Sequence, residues 1–172
     1  MKVNVEARTK LMDTVSGLSD EELNWKASED KWSIRQVLEH LYLMEGGVAK
    51  TIQSQLKMQD THETADKPIE RTVDKPIERT VDRSTKVEAP DFARPGDDFA
   101  TGAQLKDKLN ASHHLLQQLE VTVPADQLKA GSYPHPIFGD MSLDQWIPFV
   151  GYHELRHIEQ IQEVKEAMDA AK

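Results

Sequence analysis

The chain of 172 residues contains no cysteine. That absence excludes disulfides, thiolate metal ligands and a cysteine nucleophile. Any metal must be held by His, Asp or Glu, and any thiol chemistry must draw on a small-molecule thiol. Long apolar runs are also missing: no segment approaches the roughly 18 residues of a membrane span. The opening residues Met1-Lys2-Val3-Asn4-Val5-Glu6 have no apolar stretch of the kind a signal peptide needs, so the expected location is the cytoplasm. Positive charge is scarce. The chain has 21 Lys and Arg against 30 Asp and Glu, a formal net charge of −9. Nucleic acids and anionic membranes both favour cationic surfaces, so neither is expected as a partner.

What is present is helical periodicity. The length suits one domain, residues 1–172, with a sizeable core. Asn4 is a candidate N-cap for a first helix with Ala7, Leu11, Val15 and Leu18 on one face, ending near Gly17. Ser19 to Glu22 has the form of a capping box and starts a short turn. Ser33 with Gln36 starts the second main helix, where Ile34, Val37, Leu38, Leu41, Val48 and Ile52 share a face. His40 flanks that face, and Glu45 falls inside it. A buried carboxylate is costly alone, so Glu45 must be paired, near a helix end or near a site. Gly46-Gly47 marks a place where another helix or a ligand can approach.

From about 59 to 100 the periodicity breaks down. Asp66-Lys67-Pro68-Ile69-Glu70-Arg71-Thr72-Val73 recurs without change as Asp74 to Val81. Two copies of eight residues are too few and too short for a solenoid, so this reads as a duplication in a tolerant crossover, with His62 solvated. Thr101 with Gln104 caps a third helix carrying Leu105, Leu109, Ser112, Leu116 and Leu119 on its apolar stripe. His113 and His114 are adjacent, point about 100° apart and read as surface or edge residues. Residues 121–140 read as a loop rich in turn formers, with two prolines holding His135 between them. Ser142-Leu143-Asp144-Gln145 caps the last helix, which contains Pro148 and is expected to kink there. Four long helices, a long connection between the second and third, and no convincing alternating strand predict an all-α four-helix bundle with a long crossover.

The last helix carries the chemistry. Trp146, Val150, His153, His157, Ile161, Val164 and Met168 follow steps of three and four and so form one stripe. His153 and His157 stack one turn apart in its middle, a spacing that lets two imidazoles grip one metal ion. By its letters, His153-Glu154-Leu155-Arg156-His157 is also the H-E-x-x-H of zinc metalloproteases. That motif requires a further ligand downstream, and the fifteen residues after His157 contain neither His nor Gly. A third ligand must come from upstream. His40, on the facing helix, is the first candidate, and His135, in the preceding loop, the second.

Trp32-Ser33-Ile34-Arg35-Gln36-Val37-Leu38-Glu39-His40-Leu41 resembles the W-[ST]-x-x-[QE]-x-x-x-H-[LI] segment of the DinB-like superfamily, which includes the YfiT-like bacillithiol transferases. Phe138-Gly139, Trp146 and His153 to Ile161 resemble its C-terminal H-x-x-x-H helix. The resemblance runs in order and spacing over roughly residues 4 to 165. It implies a bundle with a long crossover, often a homodimer, and a divalent metal, zinc or nickel, on His40, His153 and His157. It also implies transfer of a low-molecular-weight thiol such as bacillithiol to an electrophilic small molecule, or hydrolysis of a small substrate. The alternative from another class is a non-catalytic metal-binding bundle, a stress-related or structural dimer.

Three neutral imidazoles leave a divalent ion its full charge and an open position. Such a site can bring the pKa of a water toward about 7 or hold a thiol as its thiolate. Arg156 is a candidate for binding a thiol's carboxylates, or else for a surface ion pair. Glu154 or Glu45 could orient a ligand imidazole, and Tyr152 could line the pocket.

Overall fold

Local capping chemistry sets where the helices start. A computed structural model describes residues 2–61, 73–84, 87–96 and 101–171. Among the described residues the α-helices are α1 (Lys2–Thr14), α2 (Asp20–Asn24), α3 (Ile34–Thr61), α4 (Gly102–Thr122), α5 (Ala125–Ala130) and α6 (Leu143–Ala170). The capping boxes at Ser19/Glu22 and Thr101/Gln104 form with both reciprocal bonds. Ser33 and Gln36 likewise exchange bonds of 3.1 and 3.2 Å. Ser142 sits at the N-cap of α6 without a side-chain cap bond, because its hydroxyl donates to the Asp144 carboxylate instead.

The long helices α1, α3, α4 and α6 form the expected four-helix bundle, with α1 packed on α6, α3 on α4, and α3 on α6. One apolar cluster, around Leu11, Leu38, Leu105 and Ile158, fills one end. A second, around Ile52, Leu116, Met141 and Ile147, fills the other. The polar chemistry lies on residues 151–157 of α6 and 39–47 of α3.

Two expectations need correction. Asn4 is not a cap: it lies inside α1, is buried, and its Nδ2 donates to the Ile147 carbonyl at 2.8 Å. The helices meet so closely there that a Cβ on Gly151 would sit 2.9 Å from the Asn4 backbone nitrogen. The segment 121–140 is also more than a loop. It holds α5 and an antiparallel hairpin of β1 (Ser132–His135) and β2 (Gly139–Ser142). The three-residue connection 136–138 closes it and leads into Gly139 at φ +68°, a left-handed conformation that suits glycine. Four-residue strands, one containing a proline, are too short to show alternation in the sequence.

The described part of the crossover is tied to α6. Ile77, in the second copy of the duplicated octapeptide, is buried in a 3-10 turn spanning Ile77–Val81. Gln145 donates to the Lys75 carbonyl at 3.2 Å, and Arg83 pairs with Glu163 at 2.6 Å. Most of the first copy, and His62, lie outside the described residues.

Candidate metal centre

His40 of α3 and His153 and His157 of α6 come together, each offering a ring nitrogen within 4.8 Å of the others. His153 Nε2 lies 3.3 Å from His40 Nε2 and 3.2 Å from His157 Nε2. Two of the rings have their tautomers fixed from outside. His40 Nδ1 faces the Ala93 carbonyl at 2.7 Å, which can only accept. His157 Nδ1 faces Gln160 Oε1 at 2.8 Å. Each Nδ1 therefore carries the proton, and each Nε2 points an unprotonated lone pair inward.

This arrangement fits a cation. His153 Nε2 can hold one proton at most and so can satisfy only one of its two neighbours. A shared divalent ion satisfies all three. Nitrogens about 2.0–2.1 Å from an ion at tetrahedral angles lie about 3.3 Å from one another, close to the two spacings from His153. Burial also keeps the rings neutral. It lowers the pKa of His40, takes His157 to about 3, and pushes His153, next to the other two, well below the usual value. Neutral imidazole is the form that ligates.

The Ala93 carbonyl is itself held in place. Arg35 and Glu39, both buried on α3, grip Gly96 from two sides. Arg35 donates to its carbonyl at 3.2 Å, and Glu39 accepts its N–H at 3.1 Å. The Trp32 ring packs on His40 with centroids 5.2 Å apart. Sequence reasoning used Trp32 and Gln36 as signposts but missed Arg35 and Glu39. The available signal was their i,i+4 spacing on the face leading to His40.

The other candidates lie elsewhere. Glu154 and Glu45 orient no ligand imidazole. Both are buried against Arg8, which donates to Glu154 at 2.8 Å and to Glu45 at 2.9 Å, and to the Leu109 carbonyl at 2.5 Å. Glu45 is thus the paired carboxylate its position required. It also accepts from Ser112 Oγ at 2.5 Å and from His113 at 3.1 Å. His113 is therefore half-buried and engaged, not a surface residue, whereas His114 is exposed. Burial pushes the Glu45 carboxyl up, but His113, Arg8 and Ser112 outweigh it and hold the pKa below its usual value. Glu154, buried and with Arg8 as its closest charge, is raised.

Arg156 lies on the crossover side of α6. It donates to the Thr80 carbonyl at 3.2 Å and to the Asp82 carbonyl, holding the crossover on α6. Tyr152 packs half-buried against the apolar cluster at the hairpin end. His135, the second candidate for third ligand, stays out of the cluster. Its Nδ1 accepts the backbone N–H groups of Ile137 and Phe138 at 3.1 and 3.2 Å.

Residues 4–161 match the family described as the DinB superfamily, and the chain belongs to it. The uncharacterized protein YuaE of Bacillus subtilis (strain 168) is 35% identical over 171 residues, covering 99% of this chain and all of that protein. Two solved structures share the fold. YfiT from Bacillus subtilis, described as a probable metal-dependent hydrolase with an unusual four-helix bundle topology, aligns with TM-score 0.66 and 21% identity over 98% of this chain and 85% of its own. TT2238, described as a four-helix bundle protein, aligns with TM-score 0.61 and 16% identity over 94% of each chain. Among the described residues no helix is long and apolar enough to cross a membrane.

Proposed function

We propose that this member of the DinB superfamily is a metal-dependent enzyme that works on a small electrophilic substrate at the centre formed by His40, His153 and His157. The reaction is transfer of a low-molecular-weight thiol, such as bacillithiol, or hydrolysis. The observation that carries the proposal is the convergence of three Nε2 atoms, two of them deprotonated by the bonds their Nδ1 atoms make. The description of YfiT as a probable metal-dependent hydrolase supports the same class. Zinc and nickel are the ions we propose, since a set of imidazoles without thiolate or carboxylate suits both. A bound ion supplies a Lewis acid with an open position, which acidifies a water or a thiol.

The chain's own residues do the positioning. Ala93 and Gln160 fix the tautomers of His40 and His157, and Arg35 and Glu39 hold the crossover that brings Ala93 into place. With no cysteine in the chain, the thiol is a cosubstrate. Homodimer formation and a cytoplasmic location belong to the same proposal. The test is turnover by the zinc- or nickel-loaded protein, with a small thiol plus a model electrophile in one arm and with water alone in the other. Turnover in either arm that disappears in His157→Ala supports an enzyme. A fully loaded protein inert in both arms favours a non-catalytic metal-binding bundle.

A further inference from the structure

Gly46 and Gly47 stand side by side in the middle of α3, on the chain just after His40. A glycine in a helix interior is destabilising relative to alanine, so a pair of them needs a reason. The surroundings of the two differ. A Cβ on Gly47 would lie 2.7 Å from Cε2 of Phe92 and 3.3 Å from its Cδ2, too close for both to stay where they are. The bare helix backbone at Gly47 is therefore the seat of the Phe92 ring. A Cβ on Gly46 would meet no atom of the described residues within 4 Å. It faces an open groove of about 370 Å³. Packing accounts for Gly47 alone.

Phe92 is the middle residue of a 3-10 turn, Asp91–Ala93, that packs on α3. Two backbone bonds stiffen the turn: the Ala93 N–H donates to the Pro90 carbonyl at 2.9 Å, and the Arg94 N–H to the Asp91 carbonyl at 3.3 Å. The next residue, Ala93, is fully buried, and its carbonyl accepts the His40 Nδ1 proton at 2.7 Å. That carbonyl is thus anchored from both sides along the chain. After it, Arg35 and Glu39 hold Gly96. Before it, the Phe92 ring rests on Gly47. The ring is 60% exposed, and Gly47 lies under its inner edge.

We infer that Gly47 is a positioning residue for the metal ligand His40. It admits the Phe92 ring, the ring anchors the turn, and the turn aims the Ala93 carbonyl at His40 Nδ1. His40 then keeps its proton on Nδ1 and its lone pair on Nε2, directed at His153. A side chain at Gly47 breaks this chain in one of two ways. Either the ring stays and the turn is pushed away from α3, or the ring swings out and the turn loses its anchor. Both loosen the bond between Ala93 and His40. The inference rests on the metal-centre reading above.

The adjacent glycines supply the test. Gly46→Ala and Gly47→Ala gain the same helix preference, and only the second meets the Phe92 ring. Zinc uptake by the wild type is measured first, and its failure overturns the metal centre and this inference together. Nitrogen-15 NMR of the metal-free protein then follows the His40 Nδ1 proton, which needs no metal, so a failure there overturns this inference alone. That proton should exchange with solvent at the same rate in wild type and Gly46→Ala and faster in Gly47→Ala. In competition with a chromogenic chelator, zinc affinity should be unchanged in Gly46→Ala and about tenfold weaker in Gly47→Ala, the scale of losing a partner behind a ligand histidine. Phe92→Ala, at an exposed ring, removes the same anchor without crowding the helix and should weaken zinc binding in the same direction. Because the two residues act through one contact, the double variant should bind zinc no more weakly than the weaker single variant. Equal zinc affinity in Gly46→Ala and Gly47→Ala, an unmoved His40 proton, or losses that multiply in the double variant would each overturn the inference.

Discussion

Two polar clusters lie between the apolar ends of the bundle, and α6 supplies both. In one, Arg8 sits between Glu45 and Glu154, and the chain provides both the cation and its anions. In the other, His40, His153 and His157 turn neutral nitrogens toward one another, and the chain provides donors of electron pairs only. The neighbours His153 and Glu154 point about 100° apart on α6, one to each cluster. A self-contained cluster of this kind fixes how α1, α3, α4 and α6 sit. A cluster of convergent lone pairs binds something from outside. The first is read as structure and the second as function because of where the positive charge comes from.

The sharpest way to break this contrast is to remove the internal cation. Arg8→Leu strands two buried carboxylates and is expected to cost about 3–5 kcal/mol in urea unfolding. Adding Glu45→Gln and Glu154→Gln should recover much of that loss. His157→Ala, by contrast, should leave the metal-free protein nearly as stable as the wild type.

Next in size is the effect of the external cation. Zinc at a hundred times its dissociation constant should stabilise the wild type by about 2.7 kcal/mol. A chelator should remove that gain, and His157→Ala should show neither effect.

The histidine cluster also has its own pH dependence. Its pKa values are lowered in the fold, His157 to about 3, so below about 6.5 the unfolded chain takes up protons that the folded chain refuses. The stability this supplies is complete above pH 6.5 and is lost as pH falls. For His157 alone the loss between pH 6.5 and 5 is about 2 kcal/mol, and His157→Ala should flatten the metal-free profile by that amount.

The smallest effect belongs to a supporting bond. Gln160→Leu removes the acceptor for His157 Nδ1 and should weaken metal affinity about tenfold in competition titrations, with stability little changed.

What the sequence revealed and what it hid follow from the range of each interaction. The capping boxes at Ser19 and Thr101 are closed within four residues and could be read directly. The stripe holding His153 and His157 is local to one helix, and the bundle followed from four such stripes. Arg8 was invisible because its role depends on how α1 lies along α6, set by the close contact of Asn4 with Gly151. Glu45 announced that it needed a partner but not which one. His113 was set aside for its adjacency to His114, although only its own register on α4 decides what it meets. His135 could be placed near the site by its position in the chain. That it cannot serve as a ligand in this tautomer depends on two backbone N–H groups in its own turn.

The proposed centre is three histidines holding one ion. The direct measurement is metal per chain in purified wild type, His40→Ala and His157→Ala, with Glu154→Gln as the comparison from the other cluster. One divalent ion per chain in the wild type and in Glu154→Gln, and its loss in both histidine variants, is the predicted result. Undiminished stoichiometric metal in both histidine variants would contradict it.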